Sequence, residues 1–195
     1  MRLGRKSHLV WVLIIFSLWL FSKSAKLPNP RQFFQNTAII DKSVKAEAGK
    51  PIKVAKVLDG DTVELINGER LRYIGIDSPE ELDNRKPVQC FAFEAAERNR
   101  QLVEGKEIIF QKDSSKFDKY GRWLGFVYLM DGTFVNEELV LEGFAFSYPY
   151  PPDTSKEAIF GRAEETARSG SLGLWAACTV STLSSGRKQT NSAAY

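Results

Sequence analysis

Six carboxylates and two guanidiniums crowd one stretch of this chain, Val57 to Glu80, and four of the carboxylates sit at its two ends. Asp59 and Asp61 flank Gly60 at its start, Asp77 and Glu80 flank Ser78-Pro79 at its end, and Arg70 and Arg72 lie between the pairs. The apolar alternation on either side of Asn67-Gly68 is the strongest short-range signal for a tight hairpin. A chain that reverses there carries Asp59 and Asp61 back to Asp77 and Glu80. Because strand side chains alternate, Arg70 and Arg72 share one face while Leu71 and Tyr73 take the other. Carboxylates and a guanidinium collected at one end of a hairpin are the groups that a divalent cation and a phosphate need.

Those side chains require a rigid support, and the rest of the sequence offers short strands and helices. Lys53 to Leu58, Thr62 to Ile66 and Glu69 to Ile76 read as strands, and Ser78 to Val88, with prolines at 79 and 87, reads as a loop. Phe91, Ala95, Ala96, Leu102 and Val103 recur near helical spacing, with Gly105 placed to end that helix. Lys106 to Gln111 and Arg122 to Met130 are further strands, the second closed by Asp131-Gly132 and followed by an extended Thr133 to Val135. A short helix fits Asn136 to Glu142, capped by Asn136 and stopped by Gly143, with Leu139 and Val140 facing inward. Phe144 to Tyr148 is extended, and a last helix runs from Thr154 or Ser155 to Ser169. The expected class is α+β, mainly β: a five-stranded Greek-key barrel of the oligonucleotide-binding (OB) kind, flanked by about three helices.

A chain of 195 residues that is 43% hydrophobic can bury one sizeable core. A net charge of +3 favours polyanionic partners without requiring them, since a solvated charged face gives the same composition. Arg2, Arg5 and Lys6 precede an apolar run from Leu9 to Phe21, shorter than the ~20 residues a spanning helix needs. Residues 1–25 therefore read as a cleaved secretory signal, with an uncleaved N-terminal membrane anchor as the alternative. Either way the remainder is exported: secreted or periplasmic, or tethered to the outer face of the cytoplasmic membrane. Residues 26–50 read as a linker with Phe33-Phe34 as its docking point, 51–178 as the globular domain, and 179–195 as a disordered tail rich in Ser, Thr and Gly. The single histidine, His8, falls in the export segment, which excludes histidine general bases and histidine-containing zinc sites. Two cysteines remain, Cys90 and Cys178, and in an exported protein such an even pair is expected to be bridged. A barrel that closes its own edges is a monomer by default.

Asp59-Gly60-Asp61-Thr62, Arg72 through Asp77-Ser78-Pro79-Glu80, Asp118-Lys119-Tyr120-Gly121-Arg122, Val135-Asn136-Glu137 and Gly173-Leu174-Trp175 occur in a telling order. In that order and approximate spacing the chain resembles the staphylococcal (micrococcal) nuclease family, from about Ile52 to Trp175. The resemblance implies a weak calcium site made by Asp61, Asp77 and the Ser78 carbonyl, completed by waters, as extracellular modules tolerate. It casts Glu80 as the carboxylate that activates or orients the attacking water. Arg72 and Arg122 match the two arginines that grip phosphate oxygens with paired hydrogen bonds, which lysine cannot make. Lys119, Tyr120, Tyr148 and Tyr150 would contact the nucleotide, the tyrosines by stacking. Asp59 is read as structural, closing the turn before Thr62.

The implied activity is an exported, calcium-dependent endonuclease that cuts single- and double-stranded DNA and RNA with little sequence preference, leaving 3′-phosphate ends. The alternative is a non-catalytic oligonucleotide-binding module, which has no chemical need for the whole set of Asp61, Arg72, Asp77, Glu80 and Arg122. An EF-hand-like calcium loop fails, because glycine at its sixth position and glutamate at its twelfth are both missing.

Overall fold

In the computed structural model, which describes residues 40–81 and 87–193, the chain reverses at Asn67-Gly68. Gly68 takes a φ of 85°, open to glycine at no steric cost. Its N–H donates to the Leu65 carbonyl at 2.8 Å, and the Leu65 N–H donates to the Glu69 carbonyl at 2.8 Å. Strand β1 (Pro51–Asp59) leads into β2 (Thr62–Leu65), and the reversal joins β2 to β3 (Arg70–Tyr73) with Thr62 opposite Arg72. A two-residue strand β4 (Ile76–Asp77) and helix α1 (Ala92–Val103) follow. Strands β5 (Glu107–Gln111) and β6 (Trp123–Leu129) then close a barrel of order β1-β2-β3-β6-β5, in which only β3 and β6 run parallel. The five-stranded OB barrel expected from the strand and helix signals is thus present. Beyond it lie α2 (Val135–Leu141), β7 (Phe146–Ser147) paired with β4, α3 (Glu157–Ser169) and the single turn α4 (Leu174–Ala177).

Period-two alternation fills the barrel. Ile52 and Val54, Leu71 and Tyr73, Ile108 and Phe110 are each no more than 3% exposed, while Arg70 and Arg72 take the opposite face of β3. Each such apolar side chain contributes roughly 1.5–3 kcal/mol on burial. Helix α1 lays Ala95, Ala96, Leu102 and Val103 against this core, and α2 buries Leu139 and Val140.

Several expectations are corrected. Thr133 to Val135 is not a strand: Phe134 makes one isolated bridge to Tyr128, its ring stacked 4.6 Å from that of Tyr128, and Val135 already begins α2. Asn136 is not a cap either. It is fully buried one residue inside α2, accepting from the Val127 N–H at 2.8 Å and donating to the Ile74 carbonyl at 2.9 Å. The later part of the expected linker is docked, with Ala46 and Ala48 against the core and the Gly49 N–H donating to the Phe110 carbonyl at 2.8 Å. Phe33-Phe34 and the expected export segment lie outside the described residues.

The expected disordered tail is a hairpin of β8 (Val180–Thr182) and β9 (Lys188–Thr190). Its turn closes through Gly186, whose N–H donates to the Leu183 carbonyl at 2.9 Å. A composition rich in Ser, Thr and Gly hides two short strands that have something to dock on. The Cys90 N–H donates to the Asn191 carbonyl at 2.7 Å, the Thr190 hydroxyl to the Cys90 carbonyl at 2.8 Å, and the Ala193 N–H to the Val88 carbonyl at 2.8 Å. Cys90 and Cys178 are joined by a disulfide with Cα atoms 5.9 Å apart, which sets the root of the hairpin beside the start of α1.

Candidate active site

The site begins at the turn between β1 and β2, where only Gly60 and Asp61 separate the strands. A register shift between Val57 and Asp59 marks a bulge just before it, a device that re-aims side chains near functional sites. The Asp59 carboxylate accepts from the Asp61 N–H at 3.0 Å, so the acid at the first position shapes the turn. From α1, the buried Asn99 donates to the Asp59 carbonyl at 3.0 Å and accepts from the Tyr73 hydroxyl at 3.0 Å. A Cβ on Gly60 would stand 2.6 Å from the Cβ of Ser78 and 2.9 Å from that of Ala95. Glycine there lets the turn press onto Ser78, whose N–H donates to Asp61 Oδ2 at 2.7 Å.

Arg72 sits between the two acids that the turn and β4 bring together. Its Nη1 is ion-paired with Asp61 Oδ1, and its Nη2 lies 2.9 Å from Asp77 Oδ1 and 3.3 Å from the Ile76 carbonyl. Asp61 and Asp77 are each only 4% exposed. Burial and the neighbouring Asp61 carboxylate push Asp59 up to about 8. Burial also raises Asp77, against the pull of Arg72 and Arg187. The turn therefore holds more negative charge than Arg72 alone neutralises.

These residues line one side of a cleft of about 630 Å³. Glu80, half-exposed, stands at its edge, where its N–H donates to the Gln89 side chain at 3.2 Å and its carbonyl accepts from the Gln89 N–H at 3.1 Å. The opposite wall is built by Asp118. Its carboxylate accepts from the N–H groups of Tyr120 and Arg122, at 2.8 and 3.0 Å, and from Arg122 Nε at 2.7 Å. Burial opposes that charge, but the hydrogen bonds from Arg122 and Tyr120 outweigh it and hold Asp118 below the usual carboxylate range. Arg122 and Lys119 both lie against the Tyr120 ring, at 5.6 and 5.0 Å from its centre, and Tyr120 is 72% exposed. Tyr148 and Tyr150, stacked 6.1 Å apart, add to the lining. Asp153 locks this segment to the neighbouring loop by accepting from the Ser115 N–H at 2.7 Å.

Every residue given a site role from the sequence, apart from Ser78 and the two bridged cysteines, lines this cleft; Ser78 is tied to it through its N–H bond to Asp61, and Arg70 lies outside it, lining a separate pocket. Two contributors were missed. Asn99 gave no local signal, because an asparagine in a helix reads as a surface residue. Arg187 sat in a segment read as disordered, yet its Nε lies 2.6 Å from Asp77 Oδ2 and its Nη2 lies 2.7 Å from Glu80 Oε1.

Among the described residues no group of three His, Cys, Asp or Glu side chains is arranged to hold a metal ion. What the cleft offers instead is oxygen: the carboxylates of Asp59, Asp61, Asp77 and Glu80, and room for water. That donor set fits a hard divalent cation held by few protein ligands and does not fit a soft metal.

Barrel and cleft together define an OB-fold protein whose site gathers carboxylates, guanidiniums and tyrosines on one face. A family model described as staphylococcal nuclease homologue matches residues 70–177, and the chain belongs to that family. It is 31% identical over 147 residues to a thermonuclease of Staphylococcus intermedius, covering 74% of this chain and 87% of that protein. It is also 36% identical over 129 residues to endonuclease YncB of Bacillus subtilis (strain 168), covering 64% of this chain and 61% of the relative. Against the prophage-derived endonuclease YokF of the same organism the figures are 35% identity, 64% and 43%. The chain thus spans less than two thirds of the length of both Bacillus relatives.

Proposed function

We propose that this protein is an exported, calcium-dependent endonuclease that hydrolyses phosphodiester bonds in DNA and RNA and leaves 3′-phosphate ends. The observation that carries the reading is the convergence of Asp61, Asp77, Glu80, Arg72 and Arg122 on one cleft beside three tyrosines. Relatives named thermonuclease and endonuclease support hydrolysis as the reaction. Export is supported by the cationic and apolar N-terminal segment and by the disulfide, which persists in oxidising compartments.

Asp61, Asp77 and the Ser78 carbonyl would hold the cation, with waters completing its shell; calcium is favoured because it accepts such mixed oxygen ligands. Bound there, such an ion would supply positive charge at the phosphate. Glu80 takes or orients the proton of a water approaching in line with the leaving oxygen. Arg72 and Arg122 present guanidinium N–H groups to the equatorial oxygens, whose charge grows as phosphorus becomes five-coordinate. Tyr120, Tyr148 and Tyr150 provide base-stacking faces that tolerate any sequence, and Lys119 adds a cationic contact. The chain acts as a monomer in this reading, since its barrel has no open edge to share.

The test is digestion of single-stranded DNA, duplex DNA and RNA with calcium, with magnesium and with chelator, followed by end-group analysis. Cleavage of all three that needs calcium and yields 3′-phosphates is the expected result. Binding of oligonucleotides without cleavage in any of these conditions would sink the enzyme in favour of a binding module.

A further inference from the structure

We infer that the C-terminal hairpin is an intrasteric latch, in which Arg187 occupies the carboxylate oxygens of Asp77 and Glu80 and competes with the divalent cation for them. The inference rests on the proposed cation site at Asp61 and Asp77.

The geometry is that of a charge placed where a metal would otherwise be held. Arg187 Nε lies 2.6 Å from Asp77 Oδ2, and its Nη2 lies 3.1 Å from Asp77 Oδ1 and 2.7 Å from Glu80 Oε1. One guanidinium therefore spans both oxygens of the inner acid and reaches the acid proposed to handle water. With Arg72 already on Asp77 Oδ1 at 2.9 Å, neither Asp77 oxygen is left without a cationic partner. A cation cannot take Asp77 as a ligand without sharing or displacing these contacts, and Arg72 is the less able to move. Its side chain is 16% exposed on barrel strand β3, whereas that of Arg187 is 33% exposed and carried on a surface turn.

The hairpin is built to deliver that side chain. Arg187 stands just before β9, at the closing end of the turn, and Lys188 fixes the strand sideways by an ion pair of 2.9 Å to the buried Glu164 of α3. At the root the disulfide, with the Thr190 and Asn191 bonds to Cys90, ties the strands to the segment that also contacts Glu80 through Gln89. The anchor is thus covalent and the tip is held by charge alone. Such a device keeps the site closed where calcium is scarce and opens it where calcium is abundant. An exported enzyme meets that change on leaving the cell.

Titration calorimetry of calcium into the full chain and into Arg187→Gln, at matched ionic strength, tests this without reference to turnover. Charge-assisted contacts of this kind set the expectation that Arg187→Gln binds calcium roughly tenfold more tightly than the parent. Equal affinity in the two proteins would overturn the latch and leave the cation site standing. No calcium binding to either would overturn both. Arg187→Lys provides a second arm in case glutamine disturbs the hairpin: it keeps the charge but not the fork, and its affinity should fall between the other two. Hydrogen exchange in residues 180–190 of the parent chain adds a third, and it should quicken as calcium saturates. Unchanged exchange together with unchanged Arg187→Gln affinity excludes displacement.

Discussion

At the scale of single residues, the cleft separates groups that hold charge from groups that move protons. Glu80→Gln keeps the size and hydrogen-bonding edge of the side chain but removes its basicity. It should lower turnover roughly 10²–10⁴-fold, the worth of a positioned general base, while calcium binding measured by calorimetry persists. Unaltered turnover would remove Glu80 from the chemistry. Arg72→Lys keeps a positive charge between Asp61 and Asp77 but cannot fork to two oxygens, so a drop of about 10²–10³-fold in kcat is expected from single-turnover assays. Asp59 makes a different prediction, about stability. Its carboxyl is pushed up to about 8 in the folded chain, against roughly 4 when unfolded. Between those values the native state holds a proton that the unfolded state has released, so stability contributed by this group is present below about pH 4 and is lost as pH rises towards 8. Asp59→Asn can still accept the Asp61 N–H and removes that loss. In chelator its melting temperature should exceed the parent's by a margin that widens from pH 5 to pH 8, and a margin that stays flat would show that Asp59 is ionised throughout.

At the scale of elements, the parts that were legible in the sequence are those whose signals are local. Asn67-Gly68 announces its own turn, and the alternation of Leu71 and Tyr73 with Arg70 and Arg72 assigns the faces of β3 before any partner strand is known. Asn136 defeats the same reasoning. It stands where a cap would, yet its amide serves the Ile74 carbonyl, 62 positions away, and no local pattern encodes that pairing. Phe134 has strand chemistry but one bridging partner, so propensity yields to the helix that follows. The tail is illegible for the same reason: β8 and β9 are too short and polar to persist alone, and gain their order from Cys90, Val88 and Glu164, all distant in sequence. The disulfide that makes this possible closes a span of 88 positions. By the chain-entropy account such a loop is worth about 4–5 kcal/mol at most. Cys90→Ala with Cys178→Ala should therefore lower the unfolding free energy by up to about that amount, read from denaturant midpoints at unchanged slope. A loss well under 1 kcal/mol would mean that the docked hairpin holds the root without the covalent link.

At the scale of the whole molecule, the nucleic-acid affinity that the proposed function requires has to come from a chain whose net charge is only +3. Most cations near the cleft are already matched: Arg72 by Asp61 and Asp77, Arg187 by Asp77 and Glu80, and Arg122 through Nε by Asp118. Phosphates can then recruit Lys119, the free edge of Arg122 and, in competition with its acids, Arg72, which amounts to two or three contacts rather than a long basic stripe. Counterion release from single strands gives about 0.7 per neutralised phosphate, so the logarithm of affinity should fall with the logarithm of salt at a slope of about −2. Stacking on Tyr120, Tyr148 and Tyr150 carries no such dependence. Fluorescence anisotropy of a labelled single strand with Glu80→Gln, at fixed calcium and varied monovalent salt, measures that slope directly. A slope near zero would assign binding to the tyrosines alone and leave the arginines with the transition state. A slope beyond about −4 would instead require basic residues outside the cleft to track the strand, and the site would then be one part of a longer track.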